Sequence, residues 1–510
     1  MPITLTGSNQ AVALAPGYVL RAPGLRGTAD LHSGGAAATR SATRGLDDAL
    51  DALEAALRQT DVTEVRQVEL ALQPVAGPQV AAALRSAQGE TELELEVPDA
   101  GPDHGQLVLS IDDAGALRWH LPEPEAPAGA AGAAVSRGAA GGRKRFRIPA
   151  SVAPPPPGAS GLAQRSVFGA IGRRLLKVLV YPLTDVVVGA ASEFIARRWE
   201  ERKRPYRLRR FTPADYQTAA ASVPTAGELA AMAAAGPVLL FVHGTFSTSH
   251  GGFGGLPLAT MDTLHQRYGA RVIAFDHPTL SDDPKANVQW LLAQLPAAPM
   301  EVDIVCHSRG GLVSRVLAEA SASPGANGGR VGVRRIVFGA TPNNGTLLAD
   351  PDHMVNMIDR LTTALTLFPT GPVTETLEAL ITVVKVLGHG GLKGLDGLAS
   401  MHPQGAFLGA LNREGAGPAE YFAIAANYEA ADRGLRALVS GAVDNVADQV
   451  FGDAPNDLVV PTAGVYGKNG HARFPVPSER VLLFEPAQGV MHTSLFGQPA
   501  VSERLLAWLG

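Results

Sequence analysis

Ser308 is the residue of this chain whose neighbours best suit covalent chemistry. It lies in the run Val-Cys-His-Ser-Arg-Gly-Gly, where an apolar strand is predicted to end at Cys306 and a helix to begin near Arg309. A strand–turn–helix of this kind lifts the serine hydroxyl clear of the sheet, and it needs small residues two positions before and after the serine. Gly310 meets the second requirement, whereas Cys306 stands where glycine is usual. The turn therefore indicates a nucleophile, against the alternative of a chance Ser-x-Gly at a strand end.

Two residues further along the chain would complete the chemistry of such a serine. Asp457 precedes a short predicted strand in Asn-Asp-Leu-Val-Val-Pro, and His492 lies in a predicted loop between the last strand and the last helix. A histidine can take the serine proton, and an acid can hold that histidine in the right tautomer. A turn residue is the alternative role for Asp457, and the competing acids are Asp432, Asp444 and Asp453.

Backbone N–H groups beside the serine are expected to hold the negative charge that develops during acyl transfer. A predicted buried strand, 238–242, ends in a His-Gly pair, and either of the next two residues, Thr245 or Phe246, would offer one N–H. The N–H of Arg309, at the start of the predicted helix, would offer the other. His243 itself is predicted to order this loop.

From Pro237 onwards, short uninterrupted apolar runs alternate with helical patterns. Apolar strands separated by helices are typical of a parallel sheet covered on both faces, so the sequence predicts an α/β domain over 237–510. Residues 343–417 interrupt it with amphipathic patterns at 354–367 and 374–387, which suit a cap or lid over an apolar site. A packed insertion with no gating role is the alternative.

The N-terminal part of the chain shows three different patterns. Residues 1–45 are rich in Gly, Ala, Ser and Thr without a period, which predicts a flexible leader. Strict alternation at 92–97 predicts a small β-rich domain over 46–150, in which we find no candidate site. A helical and basic connector is predicted over 151–236, where residues 161–199 are amphipathic and mostly helical in pattern.

The basic stretch 197–210 raises the question of a membrane surface. It holds eight basic residues against two acidic ones and follows an apolar segment, so 175–210 could contact anionic lipid headgroups. The alternative is a solvated helix end followed by a segment packed on the catalytic domain.

Bulk composition excludes some classes of function. The net charge of −5 indicates no general affinity for nucleic acid. The single cysteine, Cys306, allows no internal disulfide, and no signal-peptide pattern is recognisable, so we expect a cytoplasmic protein, with peripheral membrane contact left open. No His, Cys and Asp cluster has metal-ligand spacing, so neither a metal nor a cofactor is expected. The oligomeric state stays undetermined.

Three motifs together resemble those of the α/β-hydrolase superfamily, among lipase-like esterases and the GPI inositol-deacylase-like group. They are Phe-Val-His-Gly-Thr-Phe, Val-Cys-His-Ser-Arg-Gly-Gly-Leu and Asn-Asp-Leu-Val-Val-Pro, and the resemblance covers 237–510. It implies that Ser308 attacks an acyl carbonyl, that His492 takes its proton, and that Asp457 orients the imidazole. The apolar insertion favours small-molecule or lipid esters as substrates.

Two other functions stay open on the sequence. The same triad would serve acyl transfer or amide hydrolysis. A non-catalytic hydrolase-like scaffold could instead bind a partner through the N-terminal β domain, although the presence of Ser308, Asp457 and His492 speaks against it.

Overall fold

The structure, a computed structural model of the chain, describes most of the sequence. The described residues are 2–34, 44–75, 92–112, 115–124, 142–149, 172–183, 191–320, 330–350, 353–367, 373–388, 394–413, 418–428, 454–467 and 473–510. The competing acids Asp432, Asp444 and Asp453 lie outside them.

Two antiparallel sheets form the N-terminal unit. Their strands are β1 (Ile3–Thr6), β2 (Val12–Ala15), β3 (Tyr18–Arg21), β4 (Leu25–Ser33), β5 (Thr63–Pro74), β6 (Glu92–Pro98), β7 (His104–Asp112), β8 (Leu117–His120), β9 (Arg143–Pro149) and β10 (Gly172–Pro182). The larger sheet has the order β1-β4-β5-β10-β7-β8, and the smaller has β2-β3-β6-β9. The alternation predicted at 92–97 is confirmed in β6, where Leu93, Leu95 and Val97 are fully buried.

The predicted flexible leader is wrong for residues 3–33, which form β1 to β4. β4 pairs with β5 along its whole length, and Leu25 and Ala29 on β4 are fully buried. Short strands carry little periodic signal, and the strand that pairs with β4 comes much later in the sequence. Composition alone therefore could not reveal this pairing.

The predicted helical connector is wrong between Gly172 and Pro182, where β10 runs through the larger N-terminal sheet. β10 pairs with β5 on one side and with β7 on the other. Leu176, Val178 and Leu179 are fully buried there. An apolar run of this length fits either a buried strand or a buried helix, and only the flanking strands decide between them.

A second, larger unit holds a seven-stranded sheet in the order β11-β13-β12-β14-β15-β16-β17. Its strands are β11 (Arg207–Arg210), β12 (Val238–Val242), β13 (Val272–Asp276), β14 (Met300–His307), β15 (Val331–Gly339), β16 (Glu420–Ala426) and β17 (Val481–Phe484). β11 is antiparallel to β13, and the other neighbouring pairs are parallel. This confirms the predicted α/β sheet, but a start at 237 is too late because β11 already belongs to it.

Helices cover both faces of this sheet. The helices are α1 (Arg44–Gln59), α2 (Ala191–Lys203), α3 (Ala226–Ala235), α4 (Ser249–Phe253), α5 (Leu258–Arg267), α6 (Pro284–Gln294), α7 (Gly310–Ala320), α8 (Met354–Leu367), α9 (Val373–Gly388), α10 (Asp396–Ala399), α11 (Ala406–Leu411), α12 (Ala463–Tyr466) and α13 (Pro499–Trp508). Leu240 and Ile304 pack on the side of α6, α7 and the insertion. Leu239 and Val305 pack on the side of α5 and α13. Strand residues alternate between the faces, so both faces are apolar.

The basic stretch 197–210 is only partly packed, since four of its eight basic residues are exposed and two, Arg204 and Arg209, are buried. Arg209 is fully buried and donates to three backbone carbonyls, and Arg207 makes an ion pair with a buried carboxylate. Arg204 is buried against Glu375, with 3.5 Å between Nη1 and Oε2. Within the described residues, no helix combines the length and apolar character needed to cross a bilayer. Contact with a membrane surface stays a prediction.

Candidate active site

Ser308 occupies the turn between β14 and α7, and its backbone is strained. Its φ is +51°, in the left-handed region that residues other than glycine rarely adopt. The strain is held by the backbone, because the Ser308 N–H donates to the Gly339 oxygen at 2.8 Å, and the Ser308 carbonyl accepts from the Gly311 N–H at 2.9 Å. The side chain lines a cavity.

Close packing explains the small residues around the serine. A Cβ added at Gly244 would lie 2.6 Å from the Ser308 Cβ, and one at Gly310 would lie 2.4 Å from the Val242 oxygen. Cys306 fits where glycine is usual because its side chain is fully buried and its thiol reaches the Val337 oxygen at 3.3 Å. Burial raises the pKa of Cys306 to about 12, so this thiol stays protonated and inert.

His492 and Asp457 meet in a hydrogen bond. Nδ1 of His492 lies 2.8 Å from Oδ2 of Asp457, and both side chains are buried. An ionised carboxylate only accepts, so Nδ1 carries the proton and Nε2 is left as an acceptor. Oδ1 of Asp457 accepts from the N–H groups of Val459 at 3.0 Å and Val460 at 2.8 Å, which fixes the plane of the carboxylate.

His307 also contacts this histidine, and the sequence analysis missed it. Its Nε2 donates to the backbone oxygen of His492 at 3.0 Å, and the two ring centroids are 4.8 Å apart. Burial, followed by the charge of His492, lowers the pKa of His307 to about 3, so its ring stays neutral. The one sequence signal was its place directly before Ser308, which puts its side chain beside the same turn.

Exchanging His307 tests whether it positions His492. His307→Leu removes the N–H donor at similar volume, and we expect kcat/KM for an ester to fall about tenfold, the cost of one lost hydrogen bond. His307→Gln keeps a side-chain N–H donor and should recover most of that loss. Steady-state kinetics measures both, with thermal melting as the check on folding. Equal losses in the two variants would show that shape matters at this position and the hydrogen bond does not.

The residues predicted for the oxyanion hole come from the loop after β12 and from the position that directly follows Ser308. Thr245 and Phe246 both line the cavity. Phe246 has φ +58°, and its N–H lies 3.4 Å from the hydroxyl of Thr279, a long contact. Arg309 directly precedes the first residue of α7, where N–H groups lack intrahelical partners. The structure therefore brings both predicted loops to one place.

The loop between β12 and α4 is held by a neutral histidine. Nδ1 of His243 lies 2.9 Å from the Gly244 oxygen, and Nε2 accepts the His277 N–H at 3.1 Å. A backbone carbonyl only accepts, so Nδ1 carries the proton. Burial lowers the pKa of His243 to about 4. The histidine thus orders this loop, as the sequence predicts.

A buried carboxylate, also missed by the sequence analysis, fixes the neighbouring loop. Glu200 on α2 accepts the backbone N–H groups of Thr279, Leu280 and Ser281 at 2.5, 2.8 and 2.9 Å. Burial, the largest influence, raises the pKa of Glu200. Because Thr279 contacts the Phe246 N–H, this carboxylate indirectly positions one predicted oxyanion donor. No local pattern marks such a partner, since Glu200 and Thr279 are far apart in sequence.

A cavity of about 770 Å³ joins these residues. His492 and Ser308 lie in its wall together with residues of the insertion. Its apolar lining includes Met357, Leu361 and Leu365 on α8, together with Met401 and Val459. Polar lining residues include Arg204, His250 and Glu375. Across the described part of the chain, no group of three or more His, Cys, Asp or Glu side chains is placed to hold a metal ion.

Comparisons with known proteins give the following matches. A family model described as "Domain of unknown function (DUF7379)" matches residues 203–510. No curated protein matches the chain. Among solved structures, the Bacillus licheniformis lipase BlEst2 is 20% identical with a TM-score of 0.32, covering 54% of this chain and 92% of that one. Lipase 1 from Pelosinus fermentans is 13% identical with a TM-score of 0.38, covering 53% and 97%.

Proposed function

The chain belongs to the family described as a domain of unknown function, DUF7379, through residues 203–510, and we propose that it is a serine hydrolase of carboxylic esters with apolar acyl groups. One observation carries the proposal. Ser308, in its strained turn, and His492, hydrogen-bonded to Asp457, line the same cavity. That arrangement supplies a nucleophile, a base and an orienting acid at one surface.

In the first half of the proposed reaction, Oγ of Ser308 attacks the carbonyl carbon of the ester. Nε2 of His492 takes the hydroxyl proton, and Asp457 stabilises the imidazolium that results. The carbonyl oxygen becomes an oxyanion, which the N–H groups of Arg309 and of Thr245 or Phe246 would hold. The tetrahedral intermediate collapses, the C–O bond to the alcohol breaks, and the alcohol leaves with the proton from His492.

In the second half, water attacks the acyl-enzyme. His492 takes a proton from the water, a second tetrahedral intermediate forms, and Ser308 leaves with that proton as the carboxylic acid is released. The neutral His307 cannot replace His492 as the base, because burial holds its pKa at about 3.

The preference for apolar acyl groups rests on the wall of the cavity. Met357, Leu361 and Leu365 stand one turn apart on α8 and all line it, together with Met401 and Val459. Burying a methylene group there is worth about 0.8 kcal/mol, so a longer acyl chain gains binding energy with each carbon. Membership of the GPI inositol-deacylase-like group stays a prediction from the motifs.

Active-site labelling tests the proposed function directly. A fluorophosphonate probe reacts with activated serines, so it should label the protein once, and peptide mass spectrometry should map the label to Ser308. Hydrolysis of p-nitrophenyl esters of increasing chain length should accompany it. Absence of both labelling and turnover would overturn the proposal. If esters were consumed mainly when an alcohol or amine acceptor is present, the activity would be acyl transfer.

Narrowing the cavity at Leu361 should change chain-length preference. Leu361→Trp adds bulk beside the acyl chain, so we expect kcat/KM for a dodecanoyl ester to fall about tenfold while a butanoyl ester changes little. Leu483→Trp is a matched control, because Leu483 lies on β17, is partly exposed and does not line the cavity. Kinetics with both esters measures the effect. A parallel loss with both esters would place the acyl chain elsewhere.

A further inference from the structure

One edge strand of the larger N-terminal sheet, β8, lies against a helix of the insertion. β8 pairs with β7 on one side, and its other edge lies against α8. The N–H of Leu117 donates to the Thr363 hydroxyl at 3.0 Å, and that hydroxyl lies 3.3 Å from the Leu117 carbonyl, to which it donates. The N–H of Trp119 donates to Oδ1 of Asp359 at 2.7 Å. Side chains of a helix thus satisfy groups that a neighbouring strand would otherwise take.

Most of this contact is buried, with Asp359 half-buried at its edge, so its hydrogen bonds fix a position. Leu117, Trp119, Thr362 and Thr363 are all buried, and the indole N–H of Trp119 lies 3.3 Å from the hydroxyl of Thr362. Moving the helix away would leave buried backbone groups of β8 without partners, which is strongly unfavourable. The docked position of α8 is therefore preferred over displaced ones.

The N-terminal unit also holds the second helix of the insertion. Nζ of Lys385 on α9 donates to the backbone oxygen of Thr60, which follows α1, at 2.8 Å. The hydroxyl of Tyr181 on β10 donates to the Lys385 carbonyl at 3.0 Å. The two long helices of the insertion, α8 and α9, are thus both tied to the N-terminal unit.

The other face of α8 lines the cavity beside Ser308. Met357 and Leu361 line the cavity, whereas Asp359 and Thr363 bind β8. At about 100° per residue, these two pairs lie on opposite sides of the helix. The same helix therefore links the edge of the N-terminal sheet to the wall of the proposed acyl site.

We propose that β8 is a positioning strand for α8, so that the N-terminal unit is part of the substrate site and determines selectivity for long acyl chains. The proposal rests on the proposed ester hydrolysis. A long acyl chain needs the apolar wall of α8 at a fixed distance, whereas an acetyl group needs only the serine, the histidine and the oxyanion donors. The insertion then forms a wall of the cavity that the N-terminal unit holds in place, and it is not a freely opening lid.

The full-length protein with a weakened β8–α8 contact tests this. Asp359→Leu combined with Thr363→Val removes both acceptors for the β8 N–H groups at similar volume. We expect amide hydrogen exchange in α8 to rise at least about tenfold, while exchange in β14 and α7 is unchanged. We expect kcat/KM for a dodecanoyl ester to fall about tenfold and that for an acetyl ester to stay within about threefold.

Two single variants serve as a control and as a milder form of the test. Asp359→Asn retains an oxygen that can accept from Trp119, so it should behave like the wild type. Thr363→Val alone removes only one acceptor, so it can be used if the double variant does not fold. It should also raise amide hydrogen exchange in α8 and lower kcat/KM for the dodecanoyl ester relative to the acetyl ester.

The outcomes separate the two proposals. Unchanged exchange in α8, or equal losses with long and short esters, would overturn the positioning role. If the wild-type protein neither takes the fluorophosphonate label nor turns over any ester, the proposed function fails. Raised exchange in α8 would then still support the docking of α8 on β8, and unchanged exchange would still contradict it.

Discussion

Replacing Ser308 with alanine should lower kcat/KM for a p-nitrophenyl ester by a factor on the order of 10⁵. The substitution removes the only atom that would bond to the acyl carbon, while the backbone bonds that hold the turn, to Gly339 and Gly311, do not involve the side chain. Fluorophosphonate labelling should disappear with it. Steady-state kinetics on purified protein, with trace contamination excluded by a second preparation, gives the measurement.

A second cavity-lining serine provides the matched control. Ser247 also lines the cavity, so Ser247→Ala changes a hydroxyl in the same environment and should keep most of the activity. Activity or labelling that persists in Ser308→Ala would assign the nucleophile to another residue. Cys306 is not a candidate in that case, because burial keeps its thiol protonated.

Replacing Asp457 with asparagine should lower kcat by about 10⁴-fold, the effect of forcing the wrong histidine tautomer. In the native protein, Oδ1 accepts from Val459 and Val460, and Oδ2 accepts from Nδ1 of His492. The asparagine oxygen would stay with the two backbone donors, so its NH₂ group would face Nδ1. The histidine would then carry its proton on Nε2 and could not take one from Ser308.

The competing acids test the assignment in the same assay. Asp432→Asn, Asp444→Asn and Asp453→Asn should each keep kcat near the wild-type value. A large loss in one of them, with Asp457→Asn nearly active, would transfer the orienting role to that acid. Thermal unfolding of each variant, monitored by circular dichroism, distinguishes loss of chemistry from loss of fold. A variant that has lost only chemistry keeps the unfolding temperature of the wild type.

Local pattern was sufficient to predict the parallel sheet of the larger unit. The apolar runs around Leu240 and Ile304 are continuous because both faces of the parallel sheet are covered, and that signal lies within a few residues. The same holds for the turn at Ser308, since a strand end, a small residue and a helix start are adjacent in sequence. The sheet and the turn were therefore predictable, although β11 was missed because its pairing with β13 is not local.

The local sequence pattern was insufficient where an apolar run is compatible with two kinds of secondary structure. Residues 172–182 fit a helix or a buried strand, and β5 and β7 on either side make it a strand. Strands β1, β2 and β3 have only four residues each, and the longer β4 shows no strict alternation of buried and exposed residues, so it is the pairing of β4 with β1 and β5 that makes this part regular. In both places the deciding contacts come from other parts of the chain.

The sequence by itself determined the residue types of the proposed serine hydrolase and their order, with Ser308 at a predicted turn and Asp457 and His492 after it. Only the tertiary structure decided that Asp457 contacts His492, that His307 holds the same histidine, and that Glu200 fixes the loop beside Phe246. It also decided that β8 meets α8 through residues about 240 positions apart. The physical reason is that a turn or a hydrophobic period depends on residues that are neighbours in the sequence. A hydrogen bond between distant segments forms only when folding brings those segments together.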